Sequence, residues 1–159
     1  MIKALPHKLK TLCYSTLAFV VAGLWLTSVH ADEMDLNLKK LVAEGSEFCE
    51  GNFKLEDGSI ERFDFNLDGE DDLVVLDEAG FSCEDSASLY CGSAGCVIHF
   101  ITPSDYSYGL MREWEIIKTH SDQPIILLSL HGVSCDEVGT VPCYRAVSIF
   151  EGRFVSTKK

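Results

Sequence analysis

Apolar and polar positions change rhythm along the chain, and each rhythm predicts an element. Over residues 32–50, Met34, Leu38, Leu41, Val42 and Phe48 recur at spacings near three and four, with Asp35, Lys39, Lys40 and Glu44 between them. This is the pattern of an amphipathic helix, with Gly45 or Gly51 as its stop. The period then falls to two. Phe53-Lys54-Leu55 and Ile60 to Phe65 read as a hairpin around Asp57-Gly58, a turn that suits strand twist. Leu73-Val74-Val75-Leu76 is continuously apolar, as a strand covered on both faces would be. Residues 77–95 show no period, and Ser104 to Gly109 reads as a turn carrying Tyr106 and Tyr108. Further strands are expected at Val97–Thr102, Leu110–Lys118, Ile125–His131, Tyr144–Phe150 and Arg153–Ser156. No helical crossover follows the first helix, so the strands should pair antiparallel. The expected fold is α+β: an N-terminal helix packed on a mostly antiparallel sheet of about six strands.

The first 31 residues have another pattern. Lys3, Lys8 and Lys10 precede an apolar run from Leu12 to Leu26, and Val29-His30-Ala31 ends it with small residues at the −3 and −1 places. The run is short for a membrane span, which needs about 20 apolar residues. The segment reads as a signal peptide cleaved before Asp32, the only part of the chain expected to meet a membrane. Residues 32–159 then form one exported domain of 128 residues, periplasmic or secreted. Removing three lysines and no acid from 13 basic and 25 acidic residues leaves a net charge of −15. Such a surface repels nucleic acid and attracts cations or basic partners.

Six cysteines follow the cleavage point: Cys49, Cys83, Cys91, Cys96, Cys135 and Cys143. An even number in an exported chain predicts three disulfides, although sequence leaves 15 pairings open. Local closure favours Cys91–Cys96 and Cys135–Cys143, which leaves Cys49–Cys83. Zinc is disfavoured because no Cys-x-x-Cys occurs.

The densest chemistry is at Asp64-Phe65-Asn66-Leu67-Asp68-Gly69-Glu70-Asp71-Asp72. Asp64, Asn66 and Asp68 take the first, third and fifth places of a curved loop, with Gly69 at the sharp bend. Glu70 would offer its backbone carbonyl and Asp72 its carboxylate, completing a set of hard oxygen donors suited to calcium. Val75 stands at the twelfth place, where an EF-hand needs a bidentate Glu, so the loop is not an EF-hand. Asp64 to Leu76 instead resembles the calcium loops of FG-GAP and VCBS-like repeats, in which Asp-x-Asn-x-Asp-Gly leads into an apolar strand. One copy does not make a propeller. More broadly the chain resembles exported bacterial proteins of unknown function that join such a loop to a Cys-Gly-Ser-Ala-Gly-Cys segment, here Cys91 to Cys96, and a late Leu-His-Gly region, here from Leu130. That likeness implies export and a calcium loop, and it brings no established activity.

Catalytic signals are sparse. Ser93 is not in a Gly-x-Ser-x-Gly elbow. His99 and His131 are the candidates for a secreted hydrolase, each with a structural role as the better default. Trp114 fits a core, while Tyr106 and Tyr108 are the best candidates for touching a partner. The leading expectation is a non-enzymatic, calcium-stabilised, disulfide-bonded binding or envelope-associated module. Its expected partner is a protein or cell-envelope component, and the acidic surface favours a basic one. An inhibitor of a basic secreted enzyme is a further alternative.

Overall fold

A computed structural model describes residues 32–84, 86 and 89–156; the expected signal peptide lies outside these residues. Residues 32–47 form the helix α1. Met34 and Leu38 are buried on its inner side, and Leu41 and Val42 are half-buried. Phe48 has left the helix and is 72% exposed. Gly45 does not stop the helix. A Cβ there would lie 2.4 Å from the Phe81 ring, so its missing side chain lets α1 approach that aromatic.

The fold is α+β and disulfide-bonded, but the expected single sheet of about six strands is corrected to eleven strands in three antiparallel sheets among the described residues. The smallest pairs β1 (Phe53–Leu55) with β4 (Phe81–Cys83). The central sheet runs from β2 (Ile60–Phe63) through β3 (Leu73–Asp77) and β6 (Gly95–Ile101) to β7 (Tyr106–Met111). The short β5 (Cys91–Gly92) folds back on the start of β6. The third sheet holds β8 (Glu113–Lys118), β9 (Pro124–Leu130), β10 (Cys143–Phe150) and β11 (Arg153–Ser156).

Strand alternation turns these sheets into layers. On the central sheet Leu73, Val75, Ile98, Phe100 and Met111 face Ile126, Leu128 and Leu130 of the third sheet. Val74, Leu76 and Ile101 point the other way, into a cluster with Met34, Leu38 and Phe81. The order is therefore helix, sheet, sheet. β3 is covered on both faces, which accounts for its continuous apolar run. Trp114 fills the sheet–sheet core against Phe63 and Phe100, and its indole N–H donates to Asp77 at 3.1 Å.

Three local expectations are corrected. Asp57-Gly58 does turn the chain, with Gly58 at φ 90°, yet β1 and β2 enter different sheets and do not form a hairpin. Tyr106 and Tyr108 lie in a strand rather than a turn. Leu110–Lys118 is not one strand, because the chain crosses between sheets at Arg112, whose N–H bonds the Ser129 carbonyl at 2.8 Å.

The disulfides are Cys49–Cys83, Cys91–Cys96 and Cys135–Cys143. The first ties the chain just after α1 to β4, the second closes the β5–β6 turn, and the third closes the loop before β10. Three bridges fit an oxidising, non-cytoplasmic compartment. No helix among the described residues is long and apolar enough to cross a membrane.

Candidate functional site

The acidic loop joins β2 to β3, and hydrogen bonds to its own backbone hold it. Both oxygens of Asp64 accept, from the N–H groups of Asp68 at 3.0 Å and Gly69 at 2.8 Å. Asn66 also accepts from Asp68, and Asp68 accepts from Glu70. Asp72 closes the base by accepting from Phe65 at 2.7 Å. Leu67 and Gly69 take left-handed backbone, φ 65° and 96°, which bends the loop toward its own carboxylates. Burial raises the pKa of Asp72; the N–H of Phe65 opposes this, and the charges of Asp64 and Asp68 add to it.

The donors fit a hard cation in kind: Asp64, Asn66, Asp68 and Asp72 supply side-chain oxygens, and Glu70 supplies a carbonyl. They are not pre-assembled around one point. Among the described residues, no group of three or more His, Cys, Asp or Glu side chains is arranged to hold a metal ion. A carboxylate oxygen that accepts one N–H keeps a second lone pair, so the bonds that shape the loop leave acceptor capacity on the same groups. Beside the loop, a cavity of about 470 Å³ has Asn66 and Asp72 on one side and Gln123, Ser148 and Glu151 among its other polar lining.

A second constellation lies on the helix-facing side of the central sheet. His99 on β6 is buried, 6% exposed, with both ring nitrogens engaged. Nε2 is 2.7 Å from Glu78 Oε1, and Nδ1 is 2.7 Å from the Tyr106 hydroxyl. In the neutral tautomer that satisfies all three groups, Nε2–H donates to Glu78 and the Tyr106 O–H donates to Nδ1. Glu78 comes from the 3-10 turn after β3, Glu78–Gly80, held by Asp77 accepting from the Ala79 N–H. The Tyr106 hydroxyl is pushed up to about 12, by burial first and then by Tyr108, Glu44 and Glu78.

The rings of His99, Tyr106 and Tyr108 lie nearly parallel, at interplanar angles of 16°, 23° and 20°. Strand register explains the row. Tyr108 lies opposite His99, Tyr106 lies two residues before it on the same face, and Leu110 continues that face. Tyr106, Tyr108 and Leu110 are all exposed, Tyr108 at 66%. Next to the row, a cleft of about 310 Å³ opens between α1 and β6. Leu41, Phe48, Leu89, Val97 and the ring of Tyr90 make its apolar walls, and Glu44, Glu78, His99 and the Tyr90 hydroxyl are its ionisable groups.

His131 is elsewhere. It follows β9 and precedes the 3-10 turn Gly132–Cys135, and its ring lies against Gly139, where a Cβ would come within 2.3 Å of it. His131 does not line the cleft that His99 lines. Ser93 is exposed in the turn between β5 and β6. His99 shares its cleft with the carboxylates Glu44 and Glu78, and no hydrogen bond joins either imidazole to a serine among the described residues. Glu78 and Glu44 escape sequence reasoning: one lies in the aperiodic stretch, and the other reads as the polar side of a helix. No family model matches the chain, and no curated protein or solved structure was found similar to it.

Proposed function

We propose that residues 32–159 form an exported binding module, periplasmic or secreted, held by three disulfides and a structural calcium ion at Asp64–Asp72. In this reading it engages a basic protein or cell-envelope partner through the aromatic face of β7. The observation that carries the reading is the exposed row of Tyr106, Tyr108 and Leu110 beside Glu44 and Glu78. Contiguous exposed aromatic and apolar side chains next to charge are typical of interaction surfaces. A net charge of −15 on the mature chain would speed encounter with a basic partner. Inhibition of a basic secreted enzyme is one form of this function. A hydrolase acting through His99 or His131 has less support, since Glu78 and Tyr106 engage both nitrogens of His99 and His131 lines no shared cleft with it.

The test is calorimetric titration of the mature chain with octalysine and with octaglutamate, at low and high salt. Octalysine should bind, with affinity falling as salt rises. Tyr108→Ala, at an exposed position, should weaken it by about fivefold, the ~1 kcal/mol expected of an exposed cation–π contact. Equal affinity for the two peptides, or no change in Tyr108→Ala, would defeat the reading.

A further inference from the structure

We infer that the cleft between α1 and β6 is a receptor for one long cationic side chain, a lysine or arginine presented by the partner. The inference rests on the preceding reading and deepens it. The cleft is amphipathic in the way such a side chain is. Its walls are Leu41, Phe48, Leu89 and Val97, and its two carboxylates are Glu44 and Glu78. A lysine or arginine has a matching division, an aliphatic stem that packs on apolar surface and a charged head.

The charge in the cleft is unbalanced. Among the described residues, no lysine or arginine lines it. Two carboxylates face one imidazole there, so the acids outnumber the base, and the contact of His99 Nε2 with Glu78 uses Oε1. Glu44 has a 3.7 Å contact with Lys40 on α1, but both side chains are more than half exposed, and a pair of that kind holds weakly. An incoming cation would meet one largely buried carboxylate, Glu78, and one half-exposed carboxylate, Glu44. The Tyr90 side of the cleft is also held in place beforehand. The Tyr90 hydroxyl donates to the Gly45 carbonyl at 2.9 Å, and Tyr90 packs edge-on against Phe81, 5.2 Å between centroids. The volume, about 310 Å³, is at the small end of ligand sites, roughly 300–1,000 Å³. It suits one side chain, with the flanking residues of the partner left to the Tyr106–Tyr108–Leu110 row.

The test titrates the mature, disulfide-bonded chain with the amides of Nα-acetyl-lysine and Nα-acetyl-norleucine, followed by backbone NMR shifts. The lysine compound should move the signals of Glu44, Phe48, Glu78 and Val97, and should bind about fivefold more tightly than norleucine. Glu44→Gln, on the exposed side of α1, should erase most of that preference. Glu78→Gln should do the same while keeping an acceptor for His99. Phe48→Ala should weaken both compounds together. Equal binding of the two compounds, absence of binding, or shifts confined to the outer face of β10 would overturn the assignment. Octalysine binding that falls in Tyr108→Ala but is untouched by Glu44→Gln and Phe48→Ala would overturn the cleft alone and leave the aromatic face standing.

Discussion

Removing the Cys49–Cys83 bridge should cost more than removing either of the other two, and the structure sets the ratio. The three bridges close loops with sequence separations of 34, 5 and 8. In the chain-entropy view, each stabilises by restricting the unfolded ensemble in proportion to the logarithm of loop length, giving roughly 4, 2 and 2.5 kcal/mol in that order. Cys83 is also buried, so a Cys49→Ala/Cys83→Ala chain loses sulfur packing as well. At an unfolding entropy of about 2.1 cal/mol/K per residue, 4 kcal/mol lowers Tm by roughly 15 °C in a domain of this size. The paired alanine variants of each bridge should be compared by thermal and urea unfolding in the same buffer. The long-loop variant should also lose helical circular dichroism first on heating, because its bridge follows α1 directly. A larger loss for Cys91→Ala/Cys96→Ala than for Cys49→Ala/Cys83→Ala would refute the loop argument. An unchanged urea midpoint in the long-loop variant would do so as well.

Four other outcomes are expected. Calcium at about a hundred times its dissociation constant should stabilise the mature chain by ~2.7 kcal/mol, a rise in Tm of about 10 °C over chelator and magnesium controls; no rise removes the ion from the fold. Because the folded pKa of Asp72 is raised above 3.8, the ion-free domain should lose stability as pH climbs through that folded value. Asp72→Asn should accordingly melt higher than wild type in chelator at neutral pH and gain less from calcium, with the two melts deciding the point. Ultraviolet titration of the tyrosines should show a late phenolate near pH 12 that is absent from Tyr106→Phe. The same shift makes the folded state bind the proton more tightly than the unfolded one, so the Tyr106 contribution is present below pH 10 and is lost as pH rises toward about 12. Gly45→Ala should destabilise, by up to about 2 kcal/mol net in urea unfolding, because an overpacking cost of about 1–3 kcal/mol against the Phe81 ring is offset only in part by about 1 kcal/mol of helix propensity.

The parts of the fold legible in the sequence are those where a local pattern and a burial pattern coincide. Met34 and Leu38 lie on one side of a helix because the 3.6-residue period puts them there. Leu73–Leu76 reads as doubly covered because no position in it is polar. Partner choice is different. The Asp57-Gly58 turn says that the chain reverses, not that the strands on either side of it pair. Phe53–Leu55 finds Phe81–Cys83 instead, where the Phe53 and Phe81 rings meet edge to face at 5.1 Å. Gly109 reads as a turn residue, yet it sits in β7 opposite Ile98. Its neighbours alternate between half-buried and exposed as strand residues do. The division into three sheets was likewise hidden, since a single residue, Arg112, carries the chain across a corner without any glycine or proline to mark it.

The two sites differ in the same way. The acidic loop was visible because its donors are consecutive, and the hydrogen bonds that shape it span at most seven residues. The aromatic site is assembled from α1, the turn after β3, β6 and β7, with Glu78 lying 21 residues before His99. Only the pairing of β6 with β7 puts the Tyr106 and Tyr108 rings beside the histidine. The sequence singled out His99 as a possible catalyst and the tyrosines as possible contacts, as unrelated features. Their packing joins them. A histidine held by a carboxylate and a phenol sets the position of Tyr106, and Tyr106 in turn stacks against Tyr108, 5.6 Å between ring centroids. The buried polar chain therefore orders the exposed aromatic row, and that ordering is a reason for a satisfied histidine to sit on the covered face of a sheet where an apolar residue would otherwise serve.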